Sequence, residues 1–149
     1  MDFSQDISLL LRVAAAMLFG GVIGFERELG KHAAGLRTHM LLAGAAALIV
    51  GLGDSVAEHF QQDQYRDLLQ VDPIRLMEAV VAGVGFISAG TIIRGTRDGE
   101  VSGLTTASSL IMSAAVGIAV GIGAYVIATG VTLMCVVVLT VMRRVEKKL

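Results

Sequence analysis

The chain predicts an all-α fold, a polytopic membrane protein built as a bundle of five transmembrane helices. Three observations carry this expectation. Of its 149 residues, 54% are hydrophobic and 17% charged, with a mean hydropathy of +0.73, more apolar surface than a soluble domain of this size buries. Runs without charge recur at the length a bilayer requires. Lys and Arg gather on alternate connections, as in short cytoplasmic loops.

The first span is expected at 7–25, interrupted only by Arg12, which at 1.5 Å rise per residue reaches about 28 Å. The second is 36–53, of which 40–53 holds no charge, and the third is 74–93, with Arg75 and Glu78 near its start. The stretch 101–142 runs 42 residues without a charge. As one helix it would be about 63 Å long, roughly twice the bilayer, so it must double back. The sequence Gly117-Ile118-Ala119-Val120-Gly121-Ile122-Gly123 offers the break, because its glycines weaken a helix and allow positive φ. Spans four and five follow at 101–118 and 122–142.

Nine of the twelve Lys and Arg residues fall on one side of such a five-span chain: Arg27, Lys31, Arg37, Arg94, Arg97, Arg143, Arg144, Lys147 and Lys148. The opposite loop, 54–72, has five acids and only Arg66. The N-terminus is therefore expected outside and the C-terminus in the cytoplasm. Within the acidic loop, Val56, Phe60, Leu68 and Leu69 fit either a short amphipathic helix on the membrane surface or a plain solvated connector. No linker separates a second domain, so 1–149 reads as a single transmembrane domain.

Composition narrows the function classes. A net charge of −1 gives no basic footprint for nucleic acid. One cysteine, Cys135, forms no internal disulfide. Asp2 and Asp6 stand where a signal peptide has basic residues. The lipid bilayer is the one partner that composition implies.

Arg12 and Glu78 are the ionisable residues expected below the headgroups, at matching depth near the outer ends of spans one and three. A charge at membrane depth costs about 2.5–3.5 kcal/mol on insertion scales, so an Arg12–Glu78 pair is expected. It reads as an ion or proton relay, as a static pair, or as an Arg12 that snorkels outward while Arg75, at i,i+3, neutralises Glu78. On the inner side Glu26, Arg27, Arg37, Thr38, His39, Arg94, Thr105 and Thr106 gather at one depth. Such a cluster makes an anion or headgroup pocket or a contact surface; ordinary interfacial anchoring is the plainer reading. The His residues have no metal-ligand spacing, and no cofactor is expected.

The glycines read as structural first. Gly20 with Gly24 and Gly117 with Gly121 are small-xxx-small spacings that permit close helix approach, and Gly83 with Gly90 marks a further small face. No phosphate-binding loop is present. Thr105, Thr106, Ser108, Ser109 and Ser113 give span four a hydroxyl-rich face, expected to bond largely to its own helix.

Four motifs in order then carry a resemblance: Gly24-Phe25-Glu26-Arg27-Glu28 followed by Ala34-Gly35-Leu36-Arg37-Thr38-His39; Asp72-Pro73-Ile74-Arg75; Gly83-Val84-Gly85-Phe86-Ile87-Ser88-Ala89-Gly90-Thr91-Ile92; and Gly103-Leu104-Thr105-Thr106-Ala107. In this combination the chain resembles the MgtC/SapB family of bacterial inner-membrane proteins over nearly its whole length. The resemblance implies a five-helix domain with its N-terminus outside. It implies links to growth in low magnesium, to survival of pathogens in host cells and, for some members, to restraint of the F-type ATP synthase. Many relatives carry a soluble domain after the fifth helix, and its function is expected to be absent here. Ile87-Ser88 stands where members often have Leu-Gly, and Ile111 where they often have Trp.

The leading expectation is a non-enzymatic regulatory or stress-adaptation protein that binds another membrane protein or complex, with a homodimer as a further candidate assembly. The alternative is a small Mg²⁺ or H⁺ transporter or channel using Glu78 and Arg12. An intramembrane enzyme ranks last, because no Ser–His pair, metal-ligand set or carboxylate dyad stands at useful spacing.

Overall fold

The computed structural model of the chain describes residues 3–60, 72–95 and 101–146. They form five helices: α1 (Phe3–Leu29), α2 (Leu36–Phe60), α3 (Pro73–Gly95), α4 (Leu104–Gly121) and α5 (Tyr125–Glu146), each long and apolar enough to cross a membrane. Arg12, early in α1, meets the end of α4, while Arg27, late in α1, meets its beginning. The helices therefore alternate in direction, and the two tails leave at opposite ends.

Local chemistry sets the helix ends. Asp72 caps α3 through its Oδ1, which accepts the Ile74 N–H at 2.9 Å, and Pro73 takes the first helical position, where no N–H is needed. α4 stops at Gly123, whose φ of +82° closes a turn in which Ala124 N–H donates to Ala119 O (2.8 Å) and Gly123 N–H to Val120 O (3.0 Å). α1 ends in the same pattern, but with Lys31 at φ +56° in the left-handed position.

Several boundaries differ from the expectation, α1 running 3–29 where 7–25 is expected. α4 and α5 run 104–121 and 125–146, because Gly117 and Gly121 stay helical and only Gly123 breaks the run. α2 continues to Phe60, through residues expected in the acidic loop. The proposed surface helix around Leu68 and Leu69 lies outside the described residues.

Among the described residues α4 is the hub and touches every other helix, whereas α3 meets only α2 and α4, and α5 only α1 and α4. The core is built from small side chains, with Ala16, Ala43, Ala47, Val116, Val120 and Ala128 in one cluster and Ala46, Val80, Val84 and Ala114 in another. Inside lipid there is no hydrophobic drive between helices, so close van der Waals approach must hold them. The glycines supply it. A Cβ on Gly20 would strike the His39 carbonyl, one on Gly24 would come 2.8 Å from the Leu36 Cα, and one on Gly117 would strike the Ala43 carbonyl. α2 is thus gripped by α1 on one side and α4 on the other.

The third glycine set behaves differently. Among the described residues nothing lies within 4 Å of a Cβ on Gly83, Gly85 or Gly90. Gly117→Ala is accordingly expected to lower stability by about 1–3 kcal/mol through overpacking, while Gly83→Ala stays within about 1 kcal/mol of the parent. Thermal unfolding in detergent measures both.

Candidate functional site

The basic end of the bundle holds the polar groups. Late in α1, Glu26 and Arg27 are 7% and 3% exposed, which is unusual for charged side chains and requires partners. Arg27 Nη2 donates to Thr106 Oγ1 in the first turn of α4, at 2.9 Å. Arg143, late in α5, places Nη1 3.6 Å from Glu26 Oε1 and donates from Nη2 to the Leu29 carbonyl at 3.3 Å. Glu28 turns the other way, and its Oε2 accepts the Leu36 N–H (3.0 Å), tying the α1–α2 turn to the start of α2.

His39, on α2, is fully buried. Its Nδ1 lies 2.8 Å from the Gly35 carbonyl, which only accepts, so Nδ1 carries a proton. Nε2 lies 3.1 Å from Ser109 Oγ on α4, and that hydroxyl is also 2.9 Å from the Thr106 carbonyl. With a neutral ring the serine proton serves Nε2. Arg27, Thr106, Ser109 and His39 therefore form one polar layer linking three helices. Beside it, a cavity of about 550 Å³ is lined by Arg27, His32, Ser102, Thr105 and Arg143 with an apolar wall from α5.

Not every predicted residue joins this layer. Arg37 and Thr38 are exposed at the start of α2, and Thr105 is exposed at the cavity mouth. Arg94 belongs to the last turn of α3, and its side chain lies outside the described residues. Ser109 within the layer, and Arg143 clasping Glu26 beside it, are site residues that the sequence reading does not include. Their signals were present, as one hydroxyl in a polar face and one cation in a basic tail, but neither marks a partner by itself.

The expected Arg12–Glu78 pair is not formed. Arg12 Nη1 donates to the Gly121 carbonyl at 2.9 Å and so satisfies the carboxyl end of α4, where free carbonyls and the helix dipole favour a cation. Glu78 is exposed on α3, and among the described residues it makes no ion pair. Arg75 bonds backward to Asp72 (3.9 Å) rather than forward to Glu78, and both groups are well exposed. Equal depth did not bring the two charges to the same face.

Among the described residues no three His, Cys, Asp or Glu side chains converge as a metal would require. Ser88, the departure noted in the sequence, is 3% exposed and donates to the Ala107 carbonyl at 3.3 Å, so its hydroxyl joins α3 to α4. Ile111 is 43% exposed, on a face where an aromatic ring would meet lipid.

These features define a multi-pass membrane protein whose buried charges are tied across helices at one end. The chain belongs to the MgtC family, whose model matches residues 13–148. It is similar to Protein SapB of Bacillus subtilis, 39% identical over 120 residues, covering 80% of this chain and 50% of that protein. It is also similar to the Putative magnesium transporter YhiD of Escherichia coli (34% over 145 residues; 94% and 63%) and to Protein MgtC of Brucella abortus (39% over 111 residues; 74% and 41%). The chain thus spans about half the length of the curated relatives it matches. No solved structure matches.

Arg12→Gln is expected to destabilise by about 1–3 kcal/mol through the lost carbonyl contact, and Glu78→Gln by less than about 0.5 kcal/mol. A double Arg12→Glu, Glu78→Arg exchange restores nothing; denaturant titration in micelles tests all three. Thr106→Val, which takes an acceptor from a buried guanidinium, is expected to cost about 1–3 kcal/mol by the same measurement.

Proposed function

We propose that this chain is a non-enzymatic regulator in the bacterial inner membrane that acts by binding another membrane protein, with its basic end in the cytoplasm. The observation that carries this reading is the uncovered face of α3. That helix is only 17% buried along its span, the least covered after α5. Gly83 and Gly90 stand open with Ala82, Phe86 (83% exposed) and Glu78 on the outward side. Glycine in an exposed helix lowers its stability, and lipid gains nothing from the shallow surface that glycine makes. A partner helix does gain, because it approaches the backbone closely and its polar groups can meet Glu78. The orientation rests on the clustering of Lys and Arg at one end.

The magnesium setting comes from the name of the Escherichia coli relative and applies here as part of the proposal. A transport route through Arg12 and Glu78 has little geometric support, since the first is engaged by Gly121 and the second lies outside the bundle. Between the two polar ends the buried side chains are mostly Ala and Val, with only Ser113 and Thr132 as buried polar groups among the described residues of the mid-span.

The test is affinity purification from native membranes in mild detergent. Gly83→Leu is expected to leave folding intact and to reduce a co-purifying membrane protein about tenfold, the effect of losing 1–2 kcal/mol of helix packing. Liposomes holding the purified chain are expected to show no Mg²⁺ or H⁺ flux. Flux that Glu78→Gln abolishes would instead establish the transporter.

A further inference from the structure

The cavity at the basic end, about 550 Å³, has the volume of a small-molecule site and a lining of one charge sign. Arg27 from α1 and Arg143 from α5 line it, and no acidic side chain of the described residues does. Glu26, which meets Arg143, lines a separate groove on the other side of α1 instead. The first turn of α4 makes the remaining polar wall. Gly103, at φ +89°, stands at the N-cap with no side chain to accept a hydrogen bond, so the N–H groups of Leu104, Thr105 and Thr106 begin the helix uncapped within this lining. They offer donors and the positive end of a helix dipole to an anion. Thr105 is exposed beside them. Arg143 is held loosely, since its contacts to Glu26 and the Leu29 carbonyl are 3.6 and 3.3 Å, longer than the roughly 2.7–2.9 Å of a close charge-assisted bond. Its side chain is 35% exposed and has donors to spare.

We infer that this cavity binds a phosphate ester, its phosphate held by Arg143, the Thr105 hydroxyl and the first N–H groups of α4. Arg27, bonded to Thr106, adds its charge from within the wall. The directions of the donors select the shape of the anion. A carboxylate offers its oxygens in one plane, whereas a phosphate presents strong acceptors around a tetrahedron and so meets donors that arrive from α4 and α5 together. The cavity is larger than the phosphate alone. Val138, Leu139 and Met142 of α5 make an apolar wall, against which the group esterified to the phosphate lies. The site uses none of the α3 face on which the proposed function rests, so the two stand or fall separately.

Two preparations of the chain separate a lipid from a soluble source of the phosphate. In one, vesicles of equal parts phosphatidylcholine, phosphatidylglycerol and phosphatidic acid are extracted gently and the retained lipid is weighed by native mass spectrometry. In the other, the delipidated chain in neutral micelles is titrated with inorganic phosphate by calorimetry. One phosphatidylglycerol or phosphatidic acid retained per chain assigns the site to a lipid headgroup; saturable phosphate binding without such retention assigns it to a soluble ester. Arg143→Gln and Thr105→Asp are each expected to weaken the observed binding about tenfold. The aspartate sets a carboxylate over the same N–H groups, which favours the helix while excluding a second anion, so the melting temperature is held or raised as binding falls. Arg144→Gln removes an exposed neighbouring cation outside the lining and leaves binding unchanged. No saturable binding in either preparation overturns the site. So does binding that survives Thr105→Asp, or that Arg144→Gln weakens as much as Arg143→Gln. Should Arg143→Gln fail to fold, Thr105→Asp decides alone.

Discussion

The backbone-distance grip on α2 is the constraint from which the rest of the bundle follows. Gly20 and Gly24 bring α1 against its first turns, and Gly117 and Gly121 bring α4 against Ala43 and Ala47. These contacts leave no room for a side chain. They fix the height of each helix relative to α2, and that registry is what lets Arg27 reach Thr106 and His39 reach Ser109. The polar layer depends on the glycines, because a shift of one helical turn, about 5.4 Å, would separate Arg27 from Thr106 and His39 from Ser109.

The same packing explains how charge is distributed. A core of Ala, Gly and Val cannot solvate an ion, so the charged groups of the described residues sit at the ends, where carbonyls, hydroxyls and opposite charges are available. At the acidic end Arg12 finds the carbonyls that α4 leaves free. At the basic end three helices contribute to one layer, and α5 adds Arg143 from outside it. The transmembrane middle is left to van der Waals contact.

How far the sequence foretells this depends on the kind of signal. Helix number was legible, because charge-free runs respond to the bilayer, a constraint that acts on every residue. The depth of Glu26, Arg27, His39 and Thr106 was legible for the same reason. Azimuth was not. Arg12 and Glu78 share a depth, yet they lie on faces that never meet, and Arg37 and Thr38 point away from the layer their neighbour His39 enters. Gly117 and Gly123 look alike in sequence, yet one is a packing surface and the other a turn, since only tertiary contact separates the two uses of a missing Cβ.

Only 11% of the α5 span is buried, against 56% for α4. α5 is joined to the others by a three-residue turn, a narrow seam and the Arg143 clasp. The first four helices therefore make a nearly complete body among themselves, with the final helix laid against its side like a stave. Whatever loosens that clasp uncovers a seam along α1 and α4 while leaving the α1–α2–α4 body standing.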